Sequence, residues 1–123
     1  MTALSIAVAG SLGALARYGL EGAVSRHAPG AFPWGTFVVN VSGSFLLGLL
    51  FTLMTDRLTL DPWIRSSVTI GFLGAYTTFS TFSLETYRLL EDGARGLALL
   101  NAAGSVVVGL GSLYAGVILA RAV

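Results

Sequence analysis

The sequence contains no cysteine and no lysine, and it has a single histidine in 123 residues. Without cysteine there can be no disulfides, thiolate nucleophiles or cysteine-based metal sites. The histidine, His27, lies close to Pro29 and Gly30, and these residues predict a solvated loop. One histidine is too few for most metal sites, which need several ligands.

Charged residues are scarce as well. They make up 11% of the chain, against about 25% in a typical soluble domain, so water is not expected to be its main solvent. The formal net charge of +1 argues against nucleic acid as a partner. With neither a nucleophile–base set nor a cluster of metal-ligating side chains, the sequence does not predict an enzyme.

Apolar sequence takes the place of charge. The chain is 54% hydrophobic, with a mean hydropathy of +0.81. Four windows of about 20 or more apolar residues, the length that spans a bilayer, cover residues 3–24, 34–55, 63–90 and 97–120. The links between them are too short for a soluble domain. The predicted fold class is therefore an all-α integral membrane protein, a single transmembrane domain over residues 1–123 with four helices surrounded by lipid.

The arginines do not decide an orientation. Four spans place the cationic residues on two sides, in groups of three against three or four: Arg57, Arg65 and Arg121 on one side, and Arg26, Arg88, Arg95 and the more deeply placed Arg17 on the other. Orientation normally follows the excess of basic residues on one side. Without that excess, both orientations are expected, and two opposite copies can pair as a homodimer about an axis in the membrane plane.

Polar side chains are concentrated in two of the apolar windows. The stretch GFLGAYTTFSTFS, residues 71–83, carries five hydroxyls at Thr77, Thr78, Ser80, Thr81 and Ser83. Each hydroxyl alone can bond to its own helix, and Asn40 in the second window can join two helices. Together they also suit a narrow polar pathway, because buried amides and hydroxyls need partners.

Two phenylalanines interrupt the hydroxyls. Phe79 and Phe82 are three residues apart and share one helix face. Such a pair usually serves packing. Aromatic rings, however, have a positive edge, and ring edges beside hydroxyl and amide donors would suit a small anion.

Three segments resemble the CrcB (Fluc) family of fluoride channels: GSLGALARYGL at residues 10–20, FPWGTFVVNVSGSFLLGLL at 32–50 and GFLGAYTTFSTFSLE at 71–85. The resemblance covers essentially the whole chain. It implies an antiparallel, dual-topology homodimer in the bacterial inner or plasma membrane, with two narrow pores that conduct fluoride passively and so relieve its toxicity.

The same resemblance implies roles for individual residues. Asn40 matches the pore asparagine, and Phe79 and Phe82 match the pair whose ring edges line the fluoride path. The remaining candidates for the anion pathway are Ser80, Thr81 and Ser83 on the polar track, Arg17 near the pore entrance and Ser105 in the fourth helix. Thr36 also matches a motif position, without an assigned role.

A structural sodium ion is implied too. Gly74 and Thr77 match positions whose backbone carbonyls, at a break near the middle of the third helix, bind a central sodium ion together with their symmetry mates. Irregular backbone inside a membrane is tolerated where it coordinates something.

Two other functions are compatible with a small polar membrane protein. A dual-topology, proton-coupled multidrug exporter would need an embedded carboxylate, whereas Glu21 and Glu85 lie near predicted helix ends. An assembly subunit without transport activity would leave the polar residues unexplained.

Overall fold

The computed structural model describes all 123 residues, and it is helical with no strand. The helices are α1 (Thr2–His27), α2 (Trp34–Asp56), α3 (Pro62–Ser66), α4 (Gly74–Tyr76), α5 (Phe79–Glu91) and α6 (Arg95–Ala122), with a π-helical segment, Ser67–Leu73, between α3 and α4. Helices α1, α2 and α6 are long and apolar enough to cross a membrane. The predicted all-α class with long apolar spans is confirmed.

The third apolar window is not one continuous α-helix. Helix α3, the π-helical segment and α4 follow one another directly, and then Thr77 (φ −89°, ψ 160°) and Thr78 (φ −149°, ψ 122°) have extended backbone before α5 begins. None of these elements alone reaches the length of a membrane span. A π-helical turn holds one extra residue, and such turns are frequent at functional sites.

Local sequence explains several helix ends. Pro62 lies in the first turn of α3, where its missing N–H is not needed. Gly93 follows α5 with φ +78°, the left-handed conformation that commonly ends a helix. The predicted loop position of His27 is wrong, because α1 continues to this residue and its Nδ1 donates to Ala23 O at 2.8 Å.

Glycines bring the helices into contact. A Cβ atom at Gly48 or Gly116 would overlap the backbone carbonyl of Leu113 or Phe45, respectively, so α2 and α6 approach each other closely. Gly13 of α1 meets Phe72 of the π-helical segment in the same way. Close backbone approach at small residues is the usual way for helices to associate in lipid.

Most of the chain's apolar side chains lie outside this core. Only 16 of 123 residues are buried, while residues such as Leu15, Leu110 and Phe51 are more than half exposed. A soluble protein rarely exposes so much contiguous apolar surface. The outer faces therefore fit a multi-pass membrane protein, in which lipid or another chain covers them.

Candidate functional site

The two extended residues Thr77 and Thr78 expose backbone groups that a helix would satisfy. Thr77 N and Thr77 Oγ1 both donate to Leu73 O, at 3.1 and 3.0 Å. No hydrogen bond outside the regular helices ends on the carbonyl oxygens of Gly74 or Thr77. Gly74 is exposed within one chain and Thr77 is half-buried, so a ligand can reach this part of the backbone.

Asn40 of α2 holds Thr78 at two points. Its Nδ2 donates to Thr78 O at 2.9 Å, and Thr78 N donates to its Oδ1 at 2.8 Å. The amide thereby replaces the helical partners that Thr78 lacks. A side-chain amide carries two N–H donors, so one N–H of Asn40 is left without a protein partner.

Two further contacts hold the segment that precedes Thr77. Ser42 Oγ donates to Val39 O at 3.1 Å, so Tyr76 OH is the donor in its 2.8 Å contact with Ser42. From the other side, Arg17 Nε donates to Ala75 O at 3.2 Å. Helices α1 and α2 therefore fix this segment within a single chain.

The side chains around Asn40 line a cavity of about 340 Å³. Among the predicted site residues, the structure brings together Asn40, Gly74, Thr77, Phe79, Phe82 and Ser105. The other lining residues are Gly43, Ser44, Leu47, Thr69, Leu73, Thr78 and Val106. The cavity is thus lined by amide, hydroxyl and carbonyl groups together with two aromatic rings and aliphatic side chains, and none of its lining side chains is charged.

Phe79 and Phe82 form a pair at this cavity. Their ring centroids are 5.8 Å apart with the planes tilted by 45°. Phe79 is 79% exposed within one chain, which is unusual for a ring whose only task is core packing. The helix that carries both rings is started by Thr78, whose Oγ1 accepts from Thr81 N at 3.2 Å.

The remaining predicted pathway residues lie outside the cavity lining. Ser83 Oγ donates to Phe79 O at 2.9 Å, the ordinary bond of a helical serine to its own backbone. Ser80 Oγ lies 3.5 Å from Thr78 Oγ1, and Thr81 supplies a backbone donor to Thr78. Arg17 points to the backbone of α4 instead of the cavity.

A buried asparagine ties α6 to α5. Asn101 is 1% exposed; its Nδ2 donates to Thr86 Oγ1 at 2.9 Å, and its Oδ1 accepts from Ser105 Oγ at 3.3 Å. Asn101 is the seventh of the 28 residues of α6, so it joins this helix to α5 near the N-terminal end of α6.

Glu85 lies in the middle of α5 and not near a helix end, because α5 is a separate helix of 13 residues. Its Oε1 is buried without a hydrogen-bond partner, as is Oγ1 of the neighbouring Thr36. Glu85 lines a pocket together with Arg88, Asp92 and the loop between α1 and α2, so it lies toward that end of the bundle.

Sequence reasoning missed the partners that build the site. Ser42 and Tyr76 were not singled out, although both lie within the motif segments. A Cβ atom at Gly43 would overlap Thr77 Cγ2, so this glycine lets the extended residues approach α2. The glycine within VNVSGSF, three residues after Asn40, is the signal that could have found this approach.

Fold and site together define a small multi-pass membrane protein with an uncharged cavity, open on one side, between its helices. The chain belongs to the CrcB family: residues 4–117 match the family described as CrcB-like protein, Camphor Resistance (CrcB).

Relatives carry a more specific name. The chain is 48% identical over 116 residues to the fluoride-specific ion channel FluC of Magnetococcus marinus, with 94% of each chain covered. It is 49% identical over 120 residues to the protein of the same name from Geobacter sulfurreducens, covering 98% of this chain and 97% of the relative. A third FluC, from Solibacter usitatus, is 46% identical over 121 residues, with 98% and 99% covered. All three are named as channels and not as enzymes.

Proposed function

We propose that this chain is a fluoride-selective passive ion channel that exports fluoride and so relieves its toxicity. The observation that carries the proposal is the Asn40 amide, which is fixed on Thr78 by two hydrogen bonds and keeps one N–H free at the cavity beside Phe79 and Phe82. A small anion that accepts strong hydrogen bonds suits such a lining. The names of relatives that match nearly the whole chain agree with this function.

The proposed anion pathway consists of Asn40, Phe79, Phe82, Ser80, Thr81, Ser83, Ser105 and Arg17. Asn40 donates directly, and the two rings present their positive edges. Ser105 lines the same cavity from α6. The three hydroxyls that follow Phe79 extend the pathway along α5, and Arg17 sets the positive potential near its entrance while it binds Ala75 O.

A structural sodium ion fits the carbonyls of Gly74 and Thr77. Both oxygens lack a partner outside the regular helices, whereas the Thr77 hydroxyl is already bonded to Leu73 O. Hard cations take oxygen ligands in larger numbers than two, so a second copy of the chain would complete the set. When bound, the ion supplies a fixed positive charge that lowers the cost of bringing an anion into a low-dielectric site.

We propose that the working unit is an antiparallel homodimer with dual topology in the bacterial inner or plasma membrane. Gly74 is exposed within one chain, and the cavity side that carries Phe79 is open. A second copy would close this side, while lipid would cover the outer apolar faces. The balanced arginines support insertion in both directions.

Ion efflux from liposomes that contain the purified protein tests the function. We expect passive fluoride efflux far above chloride efflux, with no requirement for a proton gradient. The alternative, a proton-coupled multidrug exporter, would need an embedded carboxylate, and the half-buried Glu85 is the candidate for it. Equal chloride and fluoride flux would contradict the channel, and efflux that needs a proton gradient would support the exporter.

A further inference from the structure

Three hydrogen bonds form a chain from the cavity into the contact between α5 and α6. Ser105 Oγ donates to Asn101 Oδ1 at 3.3 Å, Asn101 Nδ2 donates to Thr86 Oγ1 at 2.9 Å, and Thr86 Oγ1 donates to Phe82 O at 2.8 Å. The two ends, Ser105 and Phe82, line the cavity, whereas Asn101 is 1% exposed.

The chemistry of these groups fixes the direction of every proton. Backbone and amide oxygens only accept, and a hydroxyl has a single proton to donate. Since Thr86 gives its proton to Phe82 O, it must accept from the Asn101 amide. The Asn101 oxygen then faces Ser105 and takes its proton, so Ser105 retains only lone pairs for the cavity.

We propose that Asn101 and Thr86 are positioning residues that hold the Ser105 proton away from the anion. This inference rests on the proposed fluoride pathway. Asn40 then provides the donor of the cavity wall, and Ser105 does not donate while its bond to Asn101 lasts. The network keeps the cavity from holding the anion too tightly, because each added donor strengthens anion binding and slows its release.

Removal of Asn101 gives the sharpest test. Asn101→Leu has no acceptor for Ser105, whose hydroxyl can then turn to the cavity. We expect the fluoride concentration for half-maximal efflux to fall about fivefold, the factor that one ordinary net hydrogen bond is worth. In Thr86→Val the Asn101 amide has lost its acceptor and can turn to donate to Ser105 Oγ, so the Ser105 proton is again released. This variant should therefore also lower the fluoride concentration for half-maximal efflux.

The double variant separates positioning from stability. Ser105 lines the proposed pathway, so Ser105→Ala is the reference for the double variant and is measured first. In Asn101→Leu/Ser105→Ala the fivefold shift should disappear, although any loss of thermal stability from Asn101→Leu should remain. If Asn101→Leu acted only through a general packing defect, the shift in half-maximal concentration and the loss of thermal stability would both remain in the double variant.

Each outcome of these experiments either supports or overturns the proposal. An unchanged half-maximal concentration in Asn101→Leu would mean that no donor is released. A shift that persists in the double variant, relative to Ser105→Ala, would mean that Ser105 is not the group released. Either result overturns the proposal. If Asn101→Leu does not yield folded protein, Thr86→Val with and without Ser105→Ala makes the same comparison. A parent protein without fluoride efflux would instead refute the proposed function.

Discussion

Asn40 and Thr78 are joined like neighbouring strands of a sheet: the side-chain amide gives one hydrogen bond to the Thr78 carbonyl and takes one from its N–H, at 2.9 and 2.8 Å. Thr78 in turn starts α5 by accepting from Thr81 N. One side chain of α2 thus fixes the start of the helix that carries Phe79 and Phe82. The position of Phe79 and Phe82 and the free N–H donor at the cavity therefore both depend on Asn40.

Replacement of Asn40 by leucine should therefore affect both flux and stability. The change leaves Thr78 N and O unpaired, at a cost of about 1–3 kcal/mol for each buried group, and it removes the free donor. We expect fluoride efflux to fall about tenfold or more, since a hydrogen bond to a charged partner is worth at least this factor. Asn40→Asp keeps the acceptor for Thr78 N but has no donor, so it should lose flux too; full flux in both variants would contradict the role of the amide.

The close contact of α2 and α6 predicts opposite signs for two kinds of glycine substitution. Gly48→Ala and Gly116→Ala place a Cβ atom against backbone of the facing helix, and such overpacking costs about 1–3 kcal/mol. Gly111→Ala on the same helix meets nothing within 4 Å, and alanine is the better helix former by about 1 kcal/mol. Thermal unfolding of the purified protein should thus occur at a lower temperature in the first two and at the same or a higher one in the third.

Part of this architecture can be predicted from the sequence. The positions of Trp34 and Pro62 at helix starts and the shared face of Phe79 and Phe82 follow from hydropathy and spacing. The π-helical segment does not, because SVTIGFL carries no periodic signal for an extra residue; in the fold, the backbone of Phe72 lies against Gly13 of α1.

The hydrogen-bond partners of the polar groups could not be predicted from the sequence either. The contact of Arg17 with Ala75 O requires a carbonyl that helix α4 leaves free at its end, and only the tertiary fold shows which one it is. A sequence indicates which groups need partners in an apolar protein, but not which partners they find.

Orientation can be tested by labelling a tag at the C-terminus from each side of the membrane. Arg57 reaches Arg121 O at 3.3 Å and Arg65 reaches Thr55 Oγ1 at 3.4 Å, so these three arginines share one end of the bundle. They balance the arginines at the other end, and we expect labelling from both sides. A tag that is reached from one side only would rule out dual insertion.

Added lysines should then lock the orientation. Leu58→Lys/Thr59→Lys and His27→Lys/Ala31→Lys add the same charge at opposite ends, at exposed positions. Cytoplasmic loops carry the positive excess, so each pair alone should give one orientation and no fluoride resistance. Expression of both together should restore it; resistance from either one alone would argue against an antiparallel dimer.

The proposed sodium site should depend on the backbone carbonyls and not on the Thr77 hydroxyl. Thr77→Val keeps the carbonyl and loses the bond to Leu73 O, at a cost of about 1 kcal/mol. Gly43→Ala instead pushes against Thr77 Cγ2 and displaces the segment. We expect sodium, compared with a large organic cation, to raise the unfolding temperature of the parent and of Thr77→Val, but much less that of Gly43→Ala. If Thr77→Val alone abolishes the effect of sodium, the hydroxyl is the ligand.

The two phenylalanines provide the last test, because packing and anion contact predict different results for an aliphatic replacement. Isoleucine in place of Phe79 or Phe82 retains much of the apolar bulk but has no positive ring edge. We expect both variants to remain folded dimers, with fluoride efflux reduced about tenfold or more, the factor that corresponds to an interaction of about 1.4 kcal/mol. Phe51→Ile is the matched control, since Phe51 is 51% exposed on α2 and does not line the cavity; it should conduct like the parent. If the Phe79 and Phe82 variants also conduct like the parent, the pair serves packing alone, and the donors of Asn40 and the hydroxyls must carry the anion without the rings.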